Sequence, residues 1–239
     1  IPGESPMQLL NRVIAYDVLS HNFTIIAGTT QNKISQDLMQ ATHLEYHPED
    51  WSSIQDHHIN AEGLLLADTY QYNAGSTSKT LLKQAHHNLI QYLDGVWKSR
   101  DPNLPYKTPY ELLTAASIIE KETALASERQ LISGVVVNRL KKGMPLQMDP
   151  TVIYSLQEKY TGKLSHNDLQ VDSPYNSYKH RGLPPGPIAM VGKDSINAAA
   201  HPQWSNYLYF VARGDGGHHF SETYVQQINA INKYQHKDS

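Results

Sequence analysis

The chain is predicted to be α+β: a helix-rich domain with small β-sheet elements, preceded by a smaller α+β unit. Three observations predict this class. Apolar residues recur at helical spacing through several long segments. Short β-rich runs closed by glycine lie near both ends, Asn22 to Ile26 before Gly28 and Tyr207 to Val211 before Gly214. A capping residue followed by Pro marks three helix starts, at Ser5-Pro6, Thr108-Pro109 and Asp149-Pro150.

In chain order, Leu9, Leu10, Val13 and Ile14 predict a short opening helix, Asn22 to Ile26 a strand, and Thr30 to Gln40 a second helix. The polar stretch from His43 to Asn60 lacks periodicity and is expected to be irregular, so a soft boundary falls near residue 55, dividing residues 1–55 from 56–239. From Ser78 to Lys98, Leu82, Ala85, Leu89, Leu93, Val96 and Trp97 predict one amphipathic helix whose exposed face carries His86 and His87. Thr108-Pro109-Tyr110-Glu111 starts a helix towards Glu122, and Ser127 is expected to open the next, ending at Lys141-Lys142-Gly143. Asp149-Pro150-Thr151 starts a short helix through Leu156, and Asp194 to Ala200 forms another that must stop before Pro202. A hairpin from Tyr207 to Phe220 follows, with a final helix capped by Ser221 and carrying Val225, Ile228 and Ile231.

The 239 residues are 39% apolar and 18% charged, an ordinary globular balance. A net charge of -3 supplies no broad basic field, which argues against a nucleic-acid partner. With no cysteine, neither disulfides nor thiolate metal sites can form. His218 and His219 would point to opposite faces of a strand without a carboxylate cluster at ligand spacing, so no metal is expected, and no lysine stands in a recognisable cofactor-binding context. No apolar run can span a bilayer. The opening Ile1-Pro2-Gly3-Glu4, without an initiator Met, raises the expectation of an upstream segment.

One carboxylate stands out. Glu120 follows an apolar helical run and shares a face with Ala116 and Ser117, small residues that leave room beside it. Desolvation there would raise its pKa and suit it to donate a proton. The alternative is that Glu120 and Glu122 are both surface residues, paired with Lys121 or Arg129. Glu122 lies two residues on, roughly across the helix, so the two cannot face each other as a pair.

Several ordered segments narrow this choice. They are Glu62-Gly63-Leu64-Leu65-Leu66-Ala67-Asp68-Thr69-Tyr70, Ala116-Ser117-Ile118-Ile119-Glu120-Lys121-Glu122-Thr123 with Ser127-Glu128-Arg129, Val137-Asn138-Arg139-Leu140, and Leu146-Gln147-Met148-Asp149-Pro150-Thr151-Val152-Ile153-Tyr154. Further on come Ser173-Pro174-Tyr175-Asn176-Ser177-Tyr178, Gly182-Leu183-Pro184-Pro185-Gly186-Pro187-Ile188, Ala198-Ala199-Ala200-His201-Pro202, Tyr207-Leu208-Tyr209-Phe210-Val211 and His219-Phe220-Ser221. In this order the chain resembles the endolytic murein transglycosylase family (MltG, YceG-like). Two departures are Ala67, where the family has Pro, and Ile26-Ala27-Gly28, where it has Pro-Glu-Gly.

The resemblance implies a YceG-like catalytic domain over residues 56–239, preceded by the remnant of a LysM-like unit. It also implies a single upstream anchor in the bacterial inner membrane, with the catalytic part in the periplasm, and association with peptidoglycan synthases. Its implied reaction is non-hydrolytic cleavage of the MurNAc-β-1,4-GlcNAc bond, leaving 1,6-anhydro-MurNAc ends and terminating glycan strands, without a cofactor. The family's catalytic glutamate carries over to Glu120 on this reading, with one carboxyl serving as acid and then base. Gln147, Asp149, Thr151, Tyr175, Asn176 and Tyr178 are the expected groove residues. A non-catalytic peptidoglycan-binding module is the competing reading.

Overall fold

The computed structural model describes residues 5–7 and 19–234, so the expected opening helix and LysM-like remnant fall largely outside the described residues. Strand β1 (Ser20–Thr24) pairs antiparallel with β3 (Thr69–Asn73), Phe23 lying opposite Tyr70. The strand predicted at Asn22 to Ile26 is present, but it runs from Ser20 and its ladder ends at Thr24. Ile25 N–H then donates to Asp68 O, and Gly28, at φ +82°, turns the chain away.

Thr30 caps α1 (Gln31–Met39) by accepting from Lys33 N, and Ile34 and Leu38 are buried one turn apart. The segment expected to be irregular contains β2 (Leu44–Glu45), paired parallel with β4 (Ser76–Thr77), and a 3₁₀ turn (Pro48–Trp51) leading into α2 (Ser52–Gln55). Its buried Asp50 caps another element. The carboxylate accepts from Ser78 Oγ at 2.6 Å and Lys79 N at 2.9 Å, occupying the positive end of α3 (Ser78–Ser99). Leu82, Ala85, Leu89, Leu93 and Val96 are buried as their spacing predicts. His86 departs from the expected solvated role: its Nδ1 lies 2.8 Å from Leu64 O.

The centre of the molecule is α4 (Pro109–Glu122), capped by Thr108 and preceded by an amide, Lys107 N–H, that donates to Glu111. Every residue from Leu112 to Ile119 is buried, because α3, α5 (Ala126–Lys141), α6 (Asp149–Leu156) and α7 (Lys193–Ala200) surround it. Ser127 does not open α5; Leu125 stands at the cap, and Thr123 Oγ1 accepts from Leu125 N at 3.0 Å, so the connecting turn is held by the residue that ends α4.

Strands β5 (Tyr209–Ala212) and β6 (His218–Ser221) form the expected antiparallel hairpin, and α8 (Tyr224–Tyr234) packs on it. The predicted face of α8 is not the buried one. Ser221 belongs to β6, Thr223 caps the helix, and Gln227 and Ala230 face the hairpin while Val225 is 70% exposed. Two strands cover only a narrow helix stripe, and the start at Tyr224 sets which stripe that is. One apolar cluster joins Phe23, Leu38, Trp51 and Ile54 to Leu113, Ile118, Val136 and Ala199, so residues on both sides of position 55 share a core.

Candidate active site

The last turn of α4 carries Glu120 and Glu122, and a two-residue step rotates a helical side chain by about 200°. They open into different cavities. Glu120 faces one lined by Ala27, Ala67, Asp68, Arg129, Gly192, Lys193 and Asp194. Its side chain is 9% exposed, Oε2 accepts from Gly192 N at 3.0 Å, and Arg129 Nη2 lies 4.0 Å from Oε1. Arg129 also reaches Asp194 at 3.5 Å. Glu120 is thus tied to α5 and to the start of α7, and both departures from the family pattern, Ala27 and Ala67, line its cavity.

Glu122 faces a cavity of about 310 Å³ between α5, α6, the hairpin and α8, whose lining includes Arg139, Gln147, Asp149, Tyr178, Phe210, His218, Gln227 and Ile231. Burial first, and the nearby Asp149 carboxylate second, push the Glu122 carboxyl up to about 8, with the Arg139 guanidinium pulling the other way. Asp149 accepts from the Tyr178 hydroxyl at 2.5 Å, and that bond, after burial, holds the phenol above its ordinary range.

Arg139 forms one wall. It donates to Leu208 O at 2.6 Å, Leu146 O at 2.7 Å, Pro145 O at 3.2 Å and Gln147 Oε1 at 3.3 Å. Gln147 adopts φ +52°, a left-handed conformation that costs a non-glycine residue about 1 kcal/mol and that these contacts hold in place. His218 also lines the cavity, and buried Glu128 binds it twice, accepting from the backbone N–H at 2.9 Å and meeting Nδ1 at 2.7 Å.

The expected groove residues divide. Gln147, Asp149 and Tyr178 line the Glu122 cavity, and none of the six lines the Glu120 cavity. Thr151 lines neither cavity: it is buried, donating to Met148 O at 2.6 Å and lying 2.8 Å from Ser177 Oγ. Asn176, also buried, donates to Leu169 O and Val171 O while its Oδ1 accepts from Tyr178 N, so it knits the loop that presents Tyr178. Tyr175 sits elsewhere, its ring 4.8 Å from that of Tyr154 beside the buried Glu62, whose carboxyl burial raises to about 7.

The YceG-like family profile matches residues 1–233. The chain belongs to the YceG-like family. An endolytic murein transglycosylase of Bacillus subtilis (strain 168) is 40% identical over 178 residues, which are 72% of this chain and 48% of that protein. One from Streptococcus pneumoniae serotype 2 (strain D39) is 37% identical over 164 residues, 63% of this chain and 28% of that protein. This YceG-like chain therefore matches about half or less of the length of these relatives. The crystal structure of a yceG-like protein of Listeria monocytogenes superposes with a TM-score of 0.71 at 29% identity, covering 95% of this chain and 82% of that one.

Sequence reasoning about this YceG-like chain did not single out Arg139, Glu128 or His218 as site residues. A signal for the first was present: an arginine on a helix otherwise carrying Val135, Val136 and Val137 needs a buried partner set. Glu128 and His218 are 90 residues apart and nothing local links them.

Proposed function

We propose that this chain is the catalytic part of an endolytic peptidoglycan lytic transglycosylase, and that Glu122 is its acid. The relatives' activity supports the reaction class. The observation that carries the assignment is the cavity that gathers Gln147, Asp149 and Tyr178 around Glu122, a carboxyl that burial pushes upward. The family motif pointed to Glu120, two residues earlier; its ties to Arg129 and Gly192, and the absence of the expected groove residues from its cavity, favour Glu122 instead.

In the proposed reaction Glu122 protonates the glycosidic oxygen as the C1–O bond of MurNAc breaks, and the Asp149 carboxylate offsets positive charge developing at C1. The 6-hydroxyl then attacks C1, losing its proton to a base in the same cavity and closing the 1,6-anhydro ring. No water is consumed. We further propose, on the family resemblance, an inner-membrane anchor with this part in the periplasm, a LysM-like unit upstream, and a role beside peptidoglycan synthases in terminating strands.

The test is mass spectrometry of products released from purified peptidoglycan by the parent, Glu122→Gln and Glu120→Gln, each verified as folded. Anhydro-MurNAc ends from the parent, at least about 100-fold fewer from Glu122→Gln, and a smaller loss for Glu120→Gln are expected. The reverse order would return the acid role to Glu120. Reducing ends would mean a hydrolase, and binding without products would mean a glycan-binding module.

A further inference from the structure

His218 lines the Glu122 cavity with Glu128 bonded to it, and the acid step gives the pair no task. Its geometry is tightly specified. Glu128 is 8% exposed, and both its oxygens engage one residue, the His218 amide and Nδ1. That double contact orients the ring: a carboxylate can only accept, so the Nδ1 proton is assigned to this bond, which leaves Nε2 on the ring edge away from Glu128. Phe210 closes one side, its ring 5.3 Å from the imidazole and nearly perpendicular to it. Gly217 makes the approach possible, since an added Cβ would lie 3.0 Å from Glu128 Oε1 and 2.5 Å from Arg213 Nη2.

The reaction proposed above, on which this inference rests, creates a specific demand. The C5–C6 bond of MurNAc rotates freely, so O6 competes with water for C1 unless a fixed acceptor receives its hydrogen bond. We infer that His218 Nε2, held by Glu128, is that acceptor and takes the 6-hydroxyl proton while Glu122 supplies the proton to the leaving oxygen. The C1–O bond to GlcNAc breaks as the C1–O6 bond forms. One proton leaves Glu122 for the departing hydroxyl, and one leaves O6 for Nε2. The resulting imidazolium faces the Glu128 carboxylate, and the proton returns to Glu122 through solvent before the next turnover.

The experiment measures anhydro-end formation, the ratio of anhydro to reducing MurNAc ends, and the thermal midpoint for the parent, His218→Gln, His218→Ala, Glu128→Gln, the His218→Gln/Glu128→Gln double variant and Glu122→Gln. Expected for His218→Gln is a fall in kcat of about 100-fold or more with KM little changed, together with a smaller anhydro share. His218→Ala should recover part of its rate with added imidazole, which a purely structural role does not allow. Glu128→Gln should lose less, and the double variant should be no slower than His218→Gln alone. If folded His218→Gln keeps the parental rate and anhydro share while Glu122→Gln loses both, Glu122 performs both steps and this inference is overturned. If the parent releases no anhydro ends, the functional reading itself fails and this one falls with it.

Discussion

Glu62 and Glu122 are carboxyls whose environments work against ionisation, and both are measurable through pH. Burial raises Glu62 to about 7 and Glu122 to about 8, whereas in the unfolded chain both ionise near 4.5. Between those values the folded state binds more protons than the unfolded state, so their contribution to stability is complete below about pH 4.5 and is lost as pH rises through 7 and 8. The thermal midpoint is expected to fall across this range, and Glu62→Gln to flatten the fall between pH 5 and 7; a parental profile that rises through the window would contradict the assignment. Catalysis has the same sign. If Glu122 is the acid, kcat/KM should drop about tenfold per pH unit above pH 8.

Among the elements, α5 is the one most constrained on several sides. At Gly134 an added Cβ would collide with the Gln203 carbonyl, because the segment after α7 runs directly over the helix there, its Gln203 N–H bonded to Gln130 O. The local sequence argues for the opposite substitution, since alanine is the better helix former by about 1 kcal/mol. Tertiary contact decides the sign: Gly134→Ala should destabilise the chain by about 1–3 kcal/mol, read by chemical denaturation. A gain in stability would mean that Gln203 can move aside.

The same conflict between local and distant influence explains α8. Its sequence period was legible, but a repeating apolar pattern does not say which surface will receive it. Thr223 rather than Ser221 starts the helix, and packing on the two-stranded hairpin buries Gln227 and Ala230 rather than the expected apolar residues. The cap at Thr108 was legible for the opposite reason, since both donor and acceptor lie within four residues.

For the whole molecule, Arg139 joins parts that the chain order keeps separate. From α5 it binds the 145–147 loop and the strand leading into the hairpin, and its guanidinium lies 5.1 Å from the Tyr209 ring. Arg139→Ala leaves three carbonyls, that of Leu146 fully buried, without that donor, so a loss of about 3 kcal/mol is expected, with reduced product formation because Gln147 and the hairpin wall lose their common support. A variant of full stability and activity would show that the walls hold without it.

The α+β class, the central helix with its Thr108-Pro109 start, the hairpin and the family membership follow from the sequence by itself, because periodicity, caps, turns and ordered motifs are local quantities. Which carboxylate shares its cavity with the expected groove residues is not local. Glu120 and Glu122 differ by two positions on one helix, and the packing of α5, α6 and the hairpin decides that Gln147, Asp149 and Tyr178 gather around the second while Thr151 and Asn176 are spent on holding the loops. Glu128 and His218 meet only when α5 packs against a strand formed 90 residues later, since a burial environment exists only after folding.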